Sequence, residues 1–169
     1  LAKFHTLRST TNYAATTDTF NTGTLAISVG GGSAVNVTID SSNNTLAGIR
    51  QAINGANAGV TATILNDGTT NRLVLTSATS GAVGSIAVAV TDSLSGLDSA
   101  SLLQTQPADN ALFNINGIDI IRSSNTVTDA IEGVTFKLTK GTLAAPGTAT
   151  LTIDRNTETI TSAVTTFIK

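Results

Sequence analysis

Leu25-Ala26-Ile27-Ser28-Val29-Gly30-Gly31-Gly32-Ser33-Ala34-Val35-Asn36-Val37-Thr38-Ile39-Asp40 alternates apolar and small or polar residues, pauses at three glycines, and alternates again. Side chains of an extended chain point to opposite faces in turn, so each run has one apolar face. Two such runs around a glycine cluster predict a β-hairpin, the glycines supplying the positive φ a tight turn demands. The period then changes. Leu46, Ile49, Ile53 and Ala56 recur at helical spacing within Asn43–Asn57, which predicts an amphipathic helix. Thr45 or Asn44 can cap its free N–H groups, and Asn54-Gly55 or Gly59 can stop it. A helix this short needs a sheet to pack on.

Period-2 patterning continues outward. Val60–Leu65 and Arg72–Thr76 read as two strands joined across Asp67-Gly68, and Ser85–Thr91 as another. Asp92–Gln106 has no clean period and ends at Pro107, a plausible boundary. In Ala111–Ile121 an Asn116-Gly117 pair predicts a type I′ turn. That register sets Ile115 opposite Ile118 and Phe113 opposite Ile120, with Asn114 and Asp119 on the other face. Thr126, Asp129 and Gly133 sit where cap residues belong and predict a short helix over Val127–Gly133. Val134–Leu138 and Ala149–Ile153 read as a further hairpin, and Asn156–Lys169 has helical spacing. Leu1–Thr24 is weakly patterned, a strand or loop tied to something else, with Phe4, Leu7 and Phe20 as anchors. The fold class expected is α+β, mostly antiparallel β, with two or three short helices.

Composition narrows the function. Of 169 residues only 12% are charged, and there is no Cys, Met or Trp. A typical domain carries about 25% charged residues. No cysteine excludes disulfides, thiol chemistry and Cys-ligated metals. A net charge of −2 is a poor footprint for nucleic acid or an anionic membrane. No apolar run approaches the ~20 residues of a membrane span, and no signal-peptide pattern opens the chain. The chain begins on Leu1 and reads as a piece of a longer protein or a processed product. Thr/Asn/Gly-rich and cysteine-free, it fits an exported bacterial structural protein.

Each candidate for chemistry has a plainer reading. Gly30–Gly32 lacks the Gly-Lys-Ser/Thr ending of a phosphate loop and leads into a strand. His5, the one histidine, has no nucleophile motif to serve. Asp92–Asp98 lacks the acidic ladder of a calcium loop, and Leu94 fills a ligand slot. Asp154 and Glu158 fit a helix start better than an acid–base pair. Lys137, Lys140 and Arg155 are too few for a nucleic-acid patch, and the Thr-rich strands fit a solvated face better than an ice- or glycan-binding one. No catalytic, metal or cofactor site is expected. The residues alone lead to a non-catalytic assembly or adhesion module.

Two stretches resemble a known family. Residues 23–76 resemble the hook-associated IN motif of flagellar axial proteins, through Gly23-Thr24-Leu25, Asn44-Thr45-Leu46-Ala47, Ile49, Ala52-Ile53-Asn54, Gly59-Val60-Thr61-Ala62 and Arg72–Ser77. Residues 108–168 resemble the C-terminal region of the flagellar filament-capping (hook-associated protein 2) family. The resemblance runs through Ala111, Phe113, Asn116-Gly117, Arg122–Val127, Asp129-Ala130-Ile131, Gly133–Leu138, Asp154, Ile160, Val164 and Phe167-Ile168. It implies two head domains, one inserted into the other: residues 1–18 with 107–169, and residues 19–106. It implies a secreted protein in a homo-oligomeric ring at the flagellar tip, with flagellin as partner, flanking coiled-coil helices, and no enzyme activity. In some members host mucin or glycans are further partners; the Thr/Asn-rich strands and low charge separately keep an extracellular adhesin or glycan-binding module as the alternative.

Overall fold

A computed structural model describes residues 1–91, 94–139 and 147. The chain divides into a unit of Leu1–Thr139, which holds every described element, and a unit of Lys140–Lys169. The expected strand at Ala149–Ile153 and the helical tail at Asn156–Lys169 lie outside the described residues.

The glycine-centred hairpin forms as its alternation predicts. Strand β1 is Phe4–Ser9, and the hairpin is β2 (Gly23–Val29) and β3 (Val35–Ile39). Leu25 faces Val37 and Ile27 faces Val35 in an antiparallel ladder, burying Leu25, Ile27, Val37 and Ile39. The helix α1 follows at Leu46–Gly55. Thr45 caps it, its hydroxyl oxygen accepting from the Gly48 N–H at 3.0 Å. Leu46, Ile49 and Ile53 are fully buried, as the stripe requires.

Next come β4 (Val60–Asn66), β5 (Asn71–Ser80), a single 3₁₀ turn at Ala82–Gly84, β6 (Ile86–Val90) and β7 (Leu102–Gln106). They build two antiparallel sheets, one in the order β4-β5-β1-β7 and one in the order β3-β2-β6. Helix α1 packs against β4 and β3, one edge strand of each sheet. Their apolar faces share one core with α1, and Leu94 and Leu97 enter it from the loop before β7. Leu94, the residue in the ligand slot of the imagined calcium loop, is thus a core side chain.

Two strands go beyond the sequence reading. β1 is an interior strand, paired with β5 on one side and β7 on the other. Its inward residues are His5, Leu7 and Ser9, two of them polar, so its alternation is hard to see in hydropathy. Edge strand β7 buries only Leu102 and leaves no period to detect.

Two hairpins complete the unit: β8 (Ala111–Ile115) with β9 (Ile118–Arg122), and β10 (Thr126–Ile131) with β11 (Val134–Lys137). The first has the expected register, Ile115 opposite Ile118 and Phe113 opposite Ile120. Its turn residues Asn116 and Gly117 have φ of 50° and 86°. The expected helix over Val127–Gly133 is corrected. Those residues form β10 and its turn, with Val127 opposite Phe136 and Ile131 opposite Val134. A two-turn helix gains few hydrogen bonds for its nucleation cost, whereas Thr126, Val127 and Thr128 favour an extended chain. Gly133, at φ 76°, serves as a hairpin-turn residue rather than a helix stop. Val127 is buried, and Phe113 of β8 meets Phe136 of β11 with ring centroids 6.3 Å apart.

Candidate functional site

The residues singled out for chemistry land in structural roles. Gly30–Gly32 form the turn between β2 and β3, and the Gly30 N–H is tied to the Ser85 carbonyl at 2.8 Å. His5 is buried at 4% exposure, and both ring nitrogens are engaged by Ile86 and Gln104. Asp98 turns its carboxylate back on its own loop, accepting from the Ala100 and Ser101 N–H groups and the Ser101 hydroxyl. Those bonds, the Ser101 hydroxyl foremost, hold its carboxyl below the usual range. Lys137 is exposed on β11. Asp92, Lys140, Asp154, Arg155 and Glu158 lie outside the described residues. Among the described residues no three His, Asp or Glu side chains gather as metal ligands, and no helix is long and apolar enough to cross a membrane.

What the fold does assemble is a seam. The Asn125 side chain clasps the backbone of Ala2, accepting from its N–H at 2.7 Å and donating to its carbonyl at 2.8 Å. The Lys3 N–H donates to the Asp109 carbonyl, and the Lys3 ammonium pairs with the Asp109 carboxylate at 2.8 Å. The Gly81 N–H donates to the Lys3 carbonyl, the Ser80 hydroxyl to the Ser123 carbonyl at 2.6 Å, and the Ala82 N–H to Asn110 Oδ1 at 2.8 Å. Residues 1–3, 80–82 and 109–125 therefore meet at one place, where the hairpins join the two-sheet body. The Arg122–Val127 string supplies Ser123 and Asn125 to this seam. The string is visible in the sequence but its partners are not, because they lie about 120 residues away at Ala2 and about 40 away at Ser80.

Beyond the seam the molecule presents aliphatic and amide surface. Leu112 and Ile121, cross-strand partners in β8–β9, are 46% and 57% exposed, and Ile118 at the turn is 68% exposed. Arg122 and Asp129 form an exposed ion pair at 2.9 Å; the hydrogen bond from Arg122 holds the Asp129 carboxyl low. An open groove of about 550 Å³ lies between α1 and β4, lined by Arg50, Gln51, Asn54, Thr61 and Thr63 among others. Asn54 is already spent there, binding both the N–H and the carbonyl of Ala62. These surfaces suit non-covalent contact. Among the described residues none of the candidate groups comes together as a nucleophile with its base.

Comparison with known proteins places this geometry. The model for the flagellar hook-associated protein 2 C-terminus matches residues 108–169, and that for the flagellin hook IN motif matches residues 24–79. The crystal structure of FliD (HAP2) from Pseudomonas aeruginosa PAO1 superposes with a TM-score of 0.81 at 37% identity, over 99% of this chain and 82% of that one. The chain belongs to the flagellar hook-associated protein 2 family. The B-type flagellar hook-associated protein 2 of Pseudomonas aeruginosa is 40% identical over 157 residues, covering 81% of this chain. Only 33% of that relative is covered, so the chain spans about a third of a full-length family member. The Escherichia coli flagellar cap protein FliD D2-D3 domains match with a TM-score of 0.77 at 32% identity, over 84% of this chain and 79% of that structure. The two resemblances read from the sequence thus fall on the two matched family models, in the same order.

Proposed function

We propose that this chain is the head region of a flagellar filament cap. In the whole protein, copies of it stand in a homo-oligomeric ring at the filament tip, outside the cell, and hold arriving flagellin subunits so that they fold and insert beneath the ring. The observation that carries this reading is the coverage of 79% of a structure described as flagellar cap D2-D3 domains. The work is non-covalent, and a β-rich body with a sparsely charged surface suits it.

The domain division belongs to the same proposal. Residues 1–18 with 107–169 form one head domain, and residues 19–106 form the inserted one. β1 is then the strand that the discontinuous domain lends to the sheet of the inserted one, and the seam at Ala2, Gly81 and Asn125 is the hinge-side lock between them.

Immunogold labelling of the full-length parent on intact flagella tests the proposal. Gold at the distal ends of filaments is the expected result. Gold along the shaft or at the cell surface alone refutes it.

A further inference from the structure

The chain holds two Asn-Gly pairs, Asn54-Gly55 and Asn116-Gly117, and the fold treats them oppositely. An asparagine before glycine can react with its own backbone, because the next residue has no Cβ to shield its nitrogen. At the first pair the fold blocks this. Asn54 Oδ1 accepts from the Ala62 N–H at 2.7 Å, and its Nδ2 donates to the Ala62 carbonyl at 2.9 Å. Gly55 lies inside α1, where each N–H is turned toward the carbonyl four residues back. The carboxamide and the nitrogen that would attack it are both held.

At the second pair the carboxamide is loose. Asn116 and Gly117 are exposed at the turn between β8 and β9, and among the described residues no hydrogen bond holds the Asn116 side chain. A Cβ on Gly117 would meet nothing within 4 Å, so no neighbour crowds its nitrogen. One contact restrains that nitrogen: the Gly117 N–H donates to Asn114 Oδ1 at 2.8 Å. Asn114 is steadied in turn, its Nδ2 donating to Asp119 Oδ1 at 2.7 Å.

We propose that Asn116 is a site of spontaneous covalent modification by water, and that Asn114 is the positioning residue that sets its pace. A solvent base takes the Gly117 N–H proton, and the nitrogen bonds to Asn116 Cγ. The Cγ–Nδ2 bond breaks, and Nδ2 leaves as ammonia with a proton from solvent. Water then opens the cyclic imide. Attack at Cγ breaks the new Cγ–N bond and gives aspartate. Attack at the main-chain carbonyl carbon breaks the original peptide bond and gives isoaspartate, linked onward through Cγ. No oxidant or reductant takes part. Either product puts a negative charge beside Ile118, which is 68% exposed. Isoaspartate also adds a methylene to the main chain, within a turn that sets Ile115 opposite Ile118.

The test is prolonged incubation of the 169-residue chain in mildly alkaline buffer, folded and in urea. Peptide mapping by mass spectrometry, with enzymatic methylation of isoaspartate, reads the products. In the folded chain aspartate and isoaspartate should accumulate at position 116 and not at position 54, whereas in urea both positions should convert. Equal conversion at the two positions of the folded chain overturns the proposal, as does no conversion at position 116 while the chain in urea converts there. Asn114→Ala should speed conversion at position 116 by roughly five-fold, the factor that one ordinary hydrogen bond represents. The double variant Asn114→Asp with Asp119→Asn keeps an acceptor for the Gly117 N–H and a bond between the two side chains, so it should restore the original rate. An unchanged rate in Asn114→Ala, or the same acceleration in the double variant, overturns the role given to Asn114.

Discussion

Gly81 and Gly117 both have a positive φ, 80° and 86°, though Gly81 combines it with ψ 176°, and their surroundings differ. A Cβ on Gly117 would meet open space, whereas one on Gly81 would fall 2.5 Å from Ser123 Cα and 2.6 Å from Asn110 Oδ1. Gly117→Ala should therefore cost only the backbone penalty, about 1–2 kcal/mol. Gly81→Ala adds a backbone clash that forces the seam apart, and should cost about 3 kcal/mol or more. Urea denaturation midpoints of the two variants check the ranking; equal losses would mean that the seam yields freely. The same contrast shows what sequence can display. Asn116-Gly117 is legible because its partners are adjacent in the chain. Gly81 is not, because its requirement comes from Ser123, some forty residues on. His5 and Ser9 were equally hidden: each is a polar residue turned inward on β1. Ser9 is satisfied only by its hydroxyl, which donates to the Thr11 carbonyl and accepts from the Leu73 N–H.

Among the elements, β2, β3, α1, β4, β5 and β6 were readable, each being strongly periodic and packed on one shared core. Residues 126–133 were not, although Val134–Leu138 reads as a strand and β11 (Val134–Lys137) forms there. Thr126, Asp129 and Gly133 satisfy the spacing of a capped helix, but the same β-branched residues pair better across a two-residue turn, and pairing with Val134–Lys137 decides. The β4–β5 turn is held differently, by one carboxylate. Asp67 accepts from the Thr70 and Thr69 N–H groups and from both threonine hydroxyls. The bonds from the Thr70 and then the Thr69 backbone are foremost in holding its carboxyl well below the ordinary range. A depressed acid stabilises above its unfolded value, about 3.9, and loses that contribution as pH falls through the folded one. Asp67→Asn should therefore lower the urea midpoint at pH 7 and remove part of the loss seen below pH 4. An unchanged acid limb would show that the turn does not depend on this charge.

For the molecule as a whole, the scarcity of charge leaves its sheets to be protected by other means. Edge strand β4 (Val60–Asn66) has no charged residue; instead Asn54 of α1 binds the N–H and carbonyl of Ala62, doing with an amide what lysines do on many edges. The surface is thus built from Thr, Asn and aliphatic side chains, fit for shape-based contact. Family membership was legible because the IN-motif region and the 108–168 region kept their order and their local strings. The contacts that unite them were not, since Ala2–Asn125 and Lys3–Asp109 span most of the chain. Filament capping by the parent protein is the proposed role at this scale. The most direct measurement is the amount of monomeric flagellin in the medium of a cap-deficient strain carrying the full-length parent, against the same strain without it. A capping parent should make leakage fall and filaments lengthen. Unchanged leakage from cells that export the parent normally would contradict it.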